Sequence, residues 1–220
     1  MNMRPQSMAP GAERLDGRQR LREATREVHE RLHGQPALAA LASGTIDLPM
    51  YRALLGRLYG FHAPLEKLLA SSAWADGAEA RAVLSPRAEL LREDLQDLGA
   101  DESAVEHLPM ASASLFPDPG VYGQFVGCLY VRAGSTLGGR ILSRALDPLL
   151  GADNQRGRRF LSGCNGADLQ WRQCCVAIDR ATAGGHWNEM LTGANATFAA
   201  LEGWLKSGGL IGPVGAKSDP

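Results

Sequence analysis

The stretch "LREATREVHERLHG", residues Leu21 to Gly34, decides the class of this chain. Leu21, Ala24, Val28 and Leu32 recur at three- and four-residue spacing, which places them on one stripe of an α-helix turning about 100° per residue. The preceding "GRQR" carries the same helix back to Gly17, Gly34 stops it, and Pro36 lies just beyond. Working outward, "DLPMYRALLGRLYGFHAPLEKLLASS" begins with Asp47 as cap and Pro49 in the first turn. Leu54, Leu55, Leu58, Phe61, Leu65 and Leu68 give it an apolar face, and Pro64 is expected to kink it. "SPRAELLREDLQDLG" has Ser85 as cap, Pro86 in the first turn and Gly99 as stop, and "DESAVEHLP" adds a short helix. Beyond "FPDPG" runs a long apolar segment, Val121 to Leu150, interrupted by glycines. Amphipathic stretches from about Asp168 to Thr182 and from Trp187 to Lys206 follow. Few segments alternate like strands and nothing repeats, so the fold class is all-α.

A chain of 220 residues is long enough to bury a core in a single domain without disulfides or metals. Twenty-three Lys and Arg against 24 Asp and Glu leave a net charge of −1, which gives no basic field for nucleic acid or anionic lipid. The apolar runs fall short of a bilayer span, and "MNMRPQSMAPGAERLDG" has no apolar core of a signal peptide, so a cytoplasmic protein is expected. Residues 1–17 and 207–220 are unpatterned and are read as loose ends around a helical domain at 18–206. Cys128, Cys164, Cys174 and Cys175 form no CxxC pair and are read as reduced, partly buried thiols.

The chemistry centres on His29. On an unbroken helix Arg22 lies about 10 Å toward the N-terminus within about 20° of His29, and Arg26 sits one turn away at about 60°. A neutral imidazole with guanidinium groups one and two turns back suits haem, whose iron takes the nitrogen and whose carboxylates take the arginines. The bland alternative is a structural or solvated histidine. His29, Glu30 and His33 also spell His-Glu-x-x-His, the zinc-hydrolase signature. Against that reading, Gly34 ends the helix immediately, "PALAA" follows in place of the longer extension, and Glu66 is only a guess as third ligand. His33 is better read as a last-turn histidine at the negative end of the helix dipole. His62 is the rival haem ligand, but it lacks basic neighbours at useful spacing and reads as a partly buried helix residue. His107 and His186 read as surface.

"GQFVGCLYVRAGSTLGGRIL" holds Gly123, Gly127, Gly134, Gly138 and Gly139 within a helical pattern, each costing about 0.5–1 kcal/mol relative to alanine. Close helix packing accounts for Gly123 and Gly127. Three glycines in the six residues of "GSTLGG" point instead to a kinked helix whose backbone runs against a bulky flat ligand. No GK[ST] follows and no strand precedes, so this is no phosphate loop.

"LREATREVHERL", "YRALLGRLYGFHAPLEKLL", "YVRAGSTLGGRIL", "FLSG" and "ATFAALEGWL", spread from about Leu21 to Leu205, together resemble the bacterial heme oxygenases, especially those that make biliverdin for bacterial phytochromes. The resemblance implies a multi-helix domain in which haem is sandwiched between a proximal and a distal helix. It implies His29 as the iron ligand and Arg22 and Arg26 near the propionates. Gly134, Gly138 and Gly139 match the distal glycines, and Tyr130 and Arg172 fall near positions that help hold propionates. Where the animal enzymes carry an aspartate after the first distal glycine, this chain has Ser135, which leaves Ser135, Arg132 or water to order the distal side. The implied activity is O₂- and reductant-dependent cleavage of haem to biliverdin, carbon monoxide and ferrous iron. No NAD or flavin fingerprint occurs, so electrons are expected from a separate ferredoxin or flavoprotein reductase. A non-catalytic haem sensor or carrier on the same scaffold is the competing reading.

Overall fold

The computed structural model describes residues 16–163 and 167–209; the expected loose termini lie for the most part outside them, as does Cys164. The described residues are helical throughout, without a strand. They form α1 (Gly17–Ala24), α2 (Arg26–His33), α3 (Pro36–Ala42), α4 (Leu48–Ala70), α5 (Ala78–Val83), α6 (Ala88–Asp97) and α7 (Glu102–Glu106). A 3₁₀ turn at Ala113–Leu115 leads to α8 (Tyr122–Ala145), α9 (Asp147–Leu150), α10 (Arg159–Ser162), α11 (Ala167–Ala183) and α12 (Trp187–Ser207).

The helix expected from Gly17 to Gly34 is broken at Thr25, which separates α1 from α2 with φ −104° and ψ 2°. The Thr25 hydroxyl donates to the Leu21 carbonyl at 2.8 Å, and such back-bonding by a helical threonine bends the chain. The buried stripe is Leu21, Thr25, Val28 and Leu32, with Ala24 exposed in place of its expected burial. Pro36 is not merely a breaker, because it opens α3 at a first-turn position where its missing N–H costs nothing.

The two long glycine-bearing helices make the spine. α8 lies along α12, and Gly127 is where they touch: a Cβ there would sit 2.4 Å from the Met190 carbonyl oxygen. Gly193 on α12 meets the backbone of Gln124 just as closely, so the two helices interdigitate backbone to backbone. Gly123 packs against Glu189 and the His186 carbonyl. α11 flanks α8, and α2 docks on α12.

α4 begins as its sequence signals, with Asp47 accepting the Met50 N–H at 2.8 Å. Pro64 sits inside an uninterrupted helix, and the Gly60 carbonyl that Pro64 cannot bond is taken by the Ala111 N–H at 2.8 Å. Gly60 itself admits that strand of chain, since a Cβ there would meet the Pro109 carbonyl oxygen. Ser85 does not cap α6. The Glu66 carboxylate of α4 accepts the Arg87 and Ala88 N–H groups at 3.1 and 3.2 Å, while the Ser85 hydroxyl accepts from Gln170 at 2.8 Å. Gly99, at φ +96°, ends α6 as expected.

Candidate haem site between α2 and α8

His29 projects from the middle of α2 at the border of the buried stripe. Burial, then the neighbouring His33 and the Arg22 cation, lower its pKa, with Glu30 opposing, which favours the neutral ring, and its Nε2 lies 3.2 Å from the Nε2 of His33. Its ring meets Phe198 of α12 edge-on with centroids 5.8 Å apart. Phe198 in turn meets Tyr130 of α8 at 6.4 Å, and Tyr130 meets Trp171 of α11 at 6.2 Å. The Tyr130 hydroxyl lies 3.4 Å from the Thr25 hydroxyl, which ties α8 to the α1–α2 break. These aromatics form a wall running from the histidine to the glycine segment of α8.

Along α8 the three glycines separate by role. Among the described residues, Trp171 alone comes within 4.0 Å of a Cβ built at Gly134, and at Gly138 a Cβ would meet none of them within 4 Å. Gly139 faces the other way, where a Cβ would lie 2.7 Å from the Leu161 carbonyl oxygen, so it is a packing glycine for α10. Leu137 and Ile141 share the open side and are 36% and 75% exposed. The backbone at Gly134 and Gly138 therefore borders open, apolar-edged space.

Ser135 is held by the scaffold: its hydroxyl donates to the Arg132 carbonyl at 2.7 Å and accepts from Arg87 at 2.8 Å. Arg132, expected among the ligand-binding residues, is not brought to the site. Its side chain is wholly buried and bonds Glu66 at 3.0 Å and the carbonyls of Val83 and Ser85. The same interaction places Glu66 in the scaffold, not in a zinc site. Among the described residues no group of three or more His, Cys, Asp and Glu could hold a metal.

Arg22, Arg26 and Arg172 are exposed, and none has an ion-pair partner among the described residues. Arg22 is close enough for its charge to act on both His29 and Tyr130. His62 is fully buried, with burial and then Arg87 and Arg132 holding its pKa well below the usual value. Its ring packs on Phe61 and Phe160, away from the α2–α8 space. Trp171, Phe198 and Arg87 are the contributors that sequence reading missed. A surface groove of about 310 Å³ lined by Ala24, Glu27, Val28, Arg31, Asn195 and Ala199 lies on the other flank of the buried stripe from His29.

A family-wide profile for heme oxygenase matches residues 16–207. The chain belongs to the heme oxygenase family. Three heme oxygenases are among the solved structures it resembles, each below a quarter identical. The heme oxygenase of Leptospira interrogans superposes with a TM-score of 0.70 at 18% identity, covering 88% of this chain and 100% of that one. Heme oxygenase-1 of the cyanobacterium Synechocystis, solved in complex with heme, gives 0.62 at 20% identity over 88% and 92% of the two chains. Heme oxygenase-2 of Synechocystis, in complex with heme and NO, gives 0.64 at 19% identity over 88% and 85%. No curated protein matches the chain. The residues of the site fit haem on their own terms: a neutral imidazole, glycine backbone bordering open space, an aromatic wall between them and the Arg22 cation beside His29 and Tyr130.

Proposed function

We propose that this heme oxygenase-family enzyme binds haem between α2 and α8 and cleaves it, with O₂ and electrons, to biliverdin, carbon monoxide and ferrous iron. The observation that carries the proposal is the pairing of neutral His29 on one helix with the open backbone at Gly134 and Gly138 on the other. Bound haem supplies the iron at which O₂ is activated, and everything else is arranged by the chain. His29 offers a neutral nitrogen, which pushes less electron density onto a metal than a thiolate does. Arg22, Arg26 and Arg172 would provide cations for the two carboxylates of a bound haem. Tyr130, Trp171 and Phe198 exclude water along one edge. Gly134 and Gly138 keep side chains, and with them acids and steric bulk, away from the face opposite His29. Arg87 fixes the Ser135 hydroxyl on the Arg132 carbonyl, which leaves ordering of the open side to backbone and solvent.

Electrons come from a separate ferredoxin or flavoprotein reductase in this reading, the site is cytoplasmic, and the biliverdin is available to a bacterial phytochrome. The deciding experiment adds ascorbate or a ferredoxin system to the hemin-loaded protein in air. Decay of the Soret band with growth of the biliverdin spectrum is the expected result, and a Soret band that persists would assign the chain to haem carriage.

A further inference from the structure

Two imidazoles, not one, converge on the open side of α2. His29 and His33 lie one turn apart, with their Nε2 atoms 3.2 Å from each other and their rings inclined at 56°. That contact uses one proton and one lone pair as it stands. A divalent transition metal sits about 2.0–2.1 Å from each imidazole nitrogen, so two cis nitrogens on one ion are about 2.9 Å apart at a right angle and about 3.4 Å apart at the tetrahedral angle. The observed separation lies inside that window without any change of rotamer.

We propose that the haem-free protein binds a divalent transition-metal ion of the zinc class through His29 Nε2 and His33 Nε2, and that this ion and haem exclude one another at His29. The proton held between the two Nε2 atoms passes through solvent to Nδ1 of the ring that carried it, so that both neutral imidazoles offer an Nε2 lone pair to the ion. Water completes its coordination, because no third ligand group exists among the described residues. The site is thus a two-nitrogen clip and lacks the closed ligand set of a structural zinc or the three-residue set of a zinc hydrolase. Glu30, whose carboxylate acts electrostatically on His29, counters part of the repulsion from Arg22. The clip itself stands on the geometry of α2 alone, while the exclusion rests on the proposed role of His29 toward haem.

Calorimetric titration of the haem-free full chain with zinc chloride tests the clip. Wild type is expected to bind one ion, and His33→Ala and His29→Ala are each expected to weaken binding at least tenfold. His33 is exposed in the last turn of α2, so its removal leaves the fold intact. Hemin titrations followed at the Soret band then test the exclusion. Zinc should raise the apparent hemin Kd of wild type in proportion to its concentration and leave that of His33→Ala unchanged. Equal zinc affinity in wild type and His33→Ala would overturn the clip, and simultaneous binding of zinc and hemin would overturn the exclusion. Loss of zinc binding in His29→Ala with unaltered haem spectra would leave the clip standing and remove His29 as axial ligand, so the two readings fail separately.

Discussion

Adjacent glycines on α8 face opposite fates. A Cβ at Gly138 enters open space, whereas at Gly139 it runs into the Leu161 carbonyl oxygen. Gly138→Leu should therefore fold, with urea-measured stability unchanged or raised by up to about 1 kcal/mol, because leucine has the higher helix propensity. It should still bind hemin with the His29 spectrum yet yield no biliverdin. Gly139→Leu should lose about 1–3 kcal/mol with or without hemin, as overpacking against fixed backbone does. Equal stability of the two variants would show that neither glycine is distinguished by its surroundings. The pattern "GSTLGG" marks these positions as unusual but cannot rank them, since Leu161, which distinguishes them, lies more than twenty residues further on. Arg132 shows the same limit in reverse. Beside a distal glycine it resembles a ligand-binding cation, and only the fold reveals that Glu66, Val83 and Ser85 enclose it.

Two short helices of this fold, α6 and α10, are started by carboxylates from other elements. Glu66 of α4 satisfies the first N–H groups of α6 and pairs with buried Arg132. Asp94 of α6 does the same for α10, accepting the Arg159 and Phe160 N–H groups at 2.8 and 2.9 Å. Removing Glu66 by substitution with alanine takes one carboxylate partner from buried Arg132 and the cap from α6. A loss of about 3–5 kcal/mol in chemical denaturation is expected, the cost typical of breaking a buried ion pair. Asp94 makes a pH-dependent prediction. Burial raises its pKa to about 6, against the lowering effect of those two N–H groups and Arg159. A carboxyl whose folded pKa lies above its unfolded value binds more protons when folded, so it penalises the folded state as pH rises through the interval from about 4 to 6. Wild-type stability should fall across that interval relative to Asp94→Asn, by on the order of 2 kcal/mol, and parallel pH profiles of the two proteins would refute the assignment. The long helices were legible because periodicity and caps are local signals, as Asp47 and Gly99 show. The cap of α6 was not, because the carboxylate that replaces Ser85 comes from a helix twenty-one residues earlier.

On the scale of the molecule, α12 is the common support. It packs backbone to backbone with α8 through Gly127 and Gly193, carries α2, and inserts Phe198 between His29 and Tyr130. Helices α2 and α8 are thus fixed to one rigid element while the space at Gly138 stays open, and a flat ligand that touches both should couple them. A ligand present at a hundredfold above its Kd stabilises the folded state by about 2.7 kcal/mol. For a domain of this size that corresponds to a rise in Tm of about 5–10 °C. Hemin should produce such a rise in wild type, and His29→Ala should reduce it to less than half, with part of the loss restored by added imidazole. Amide hydrogen exchange locates the effect. A ligand bridging the two helices should slow exchange in residues 26–33 and 134–141 together, because each segment loses its opening motions only when both sides of the ligand are engaged. Protection confined to α2 would place hemin on the surface of the histidine helix and detach Gly134 and Gly138 from the site. Protection of both segments that persists in His29→Ala would instead place the ring between the helices but transfer its axial bond to another residue.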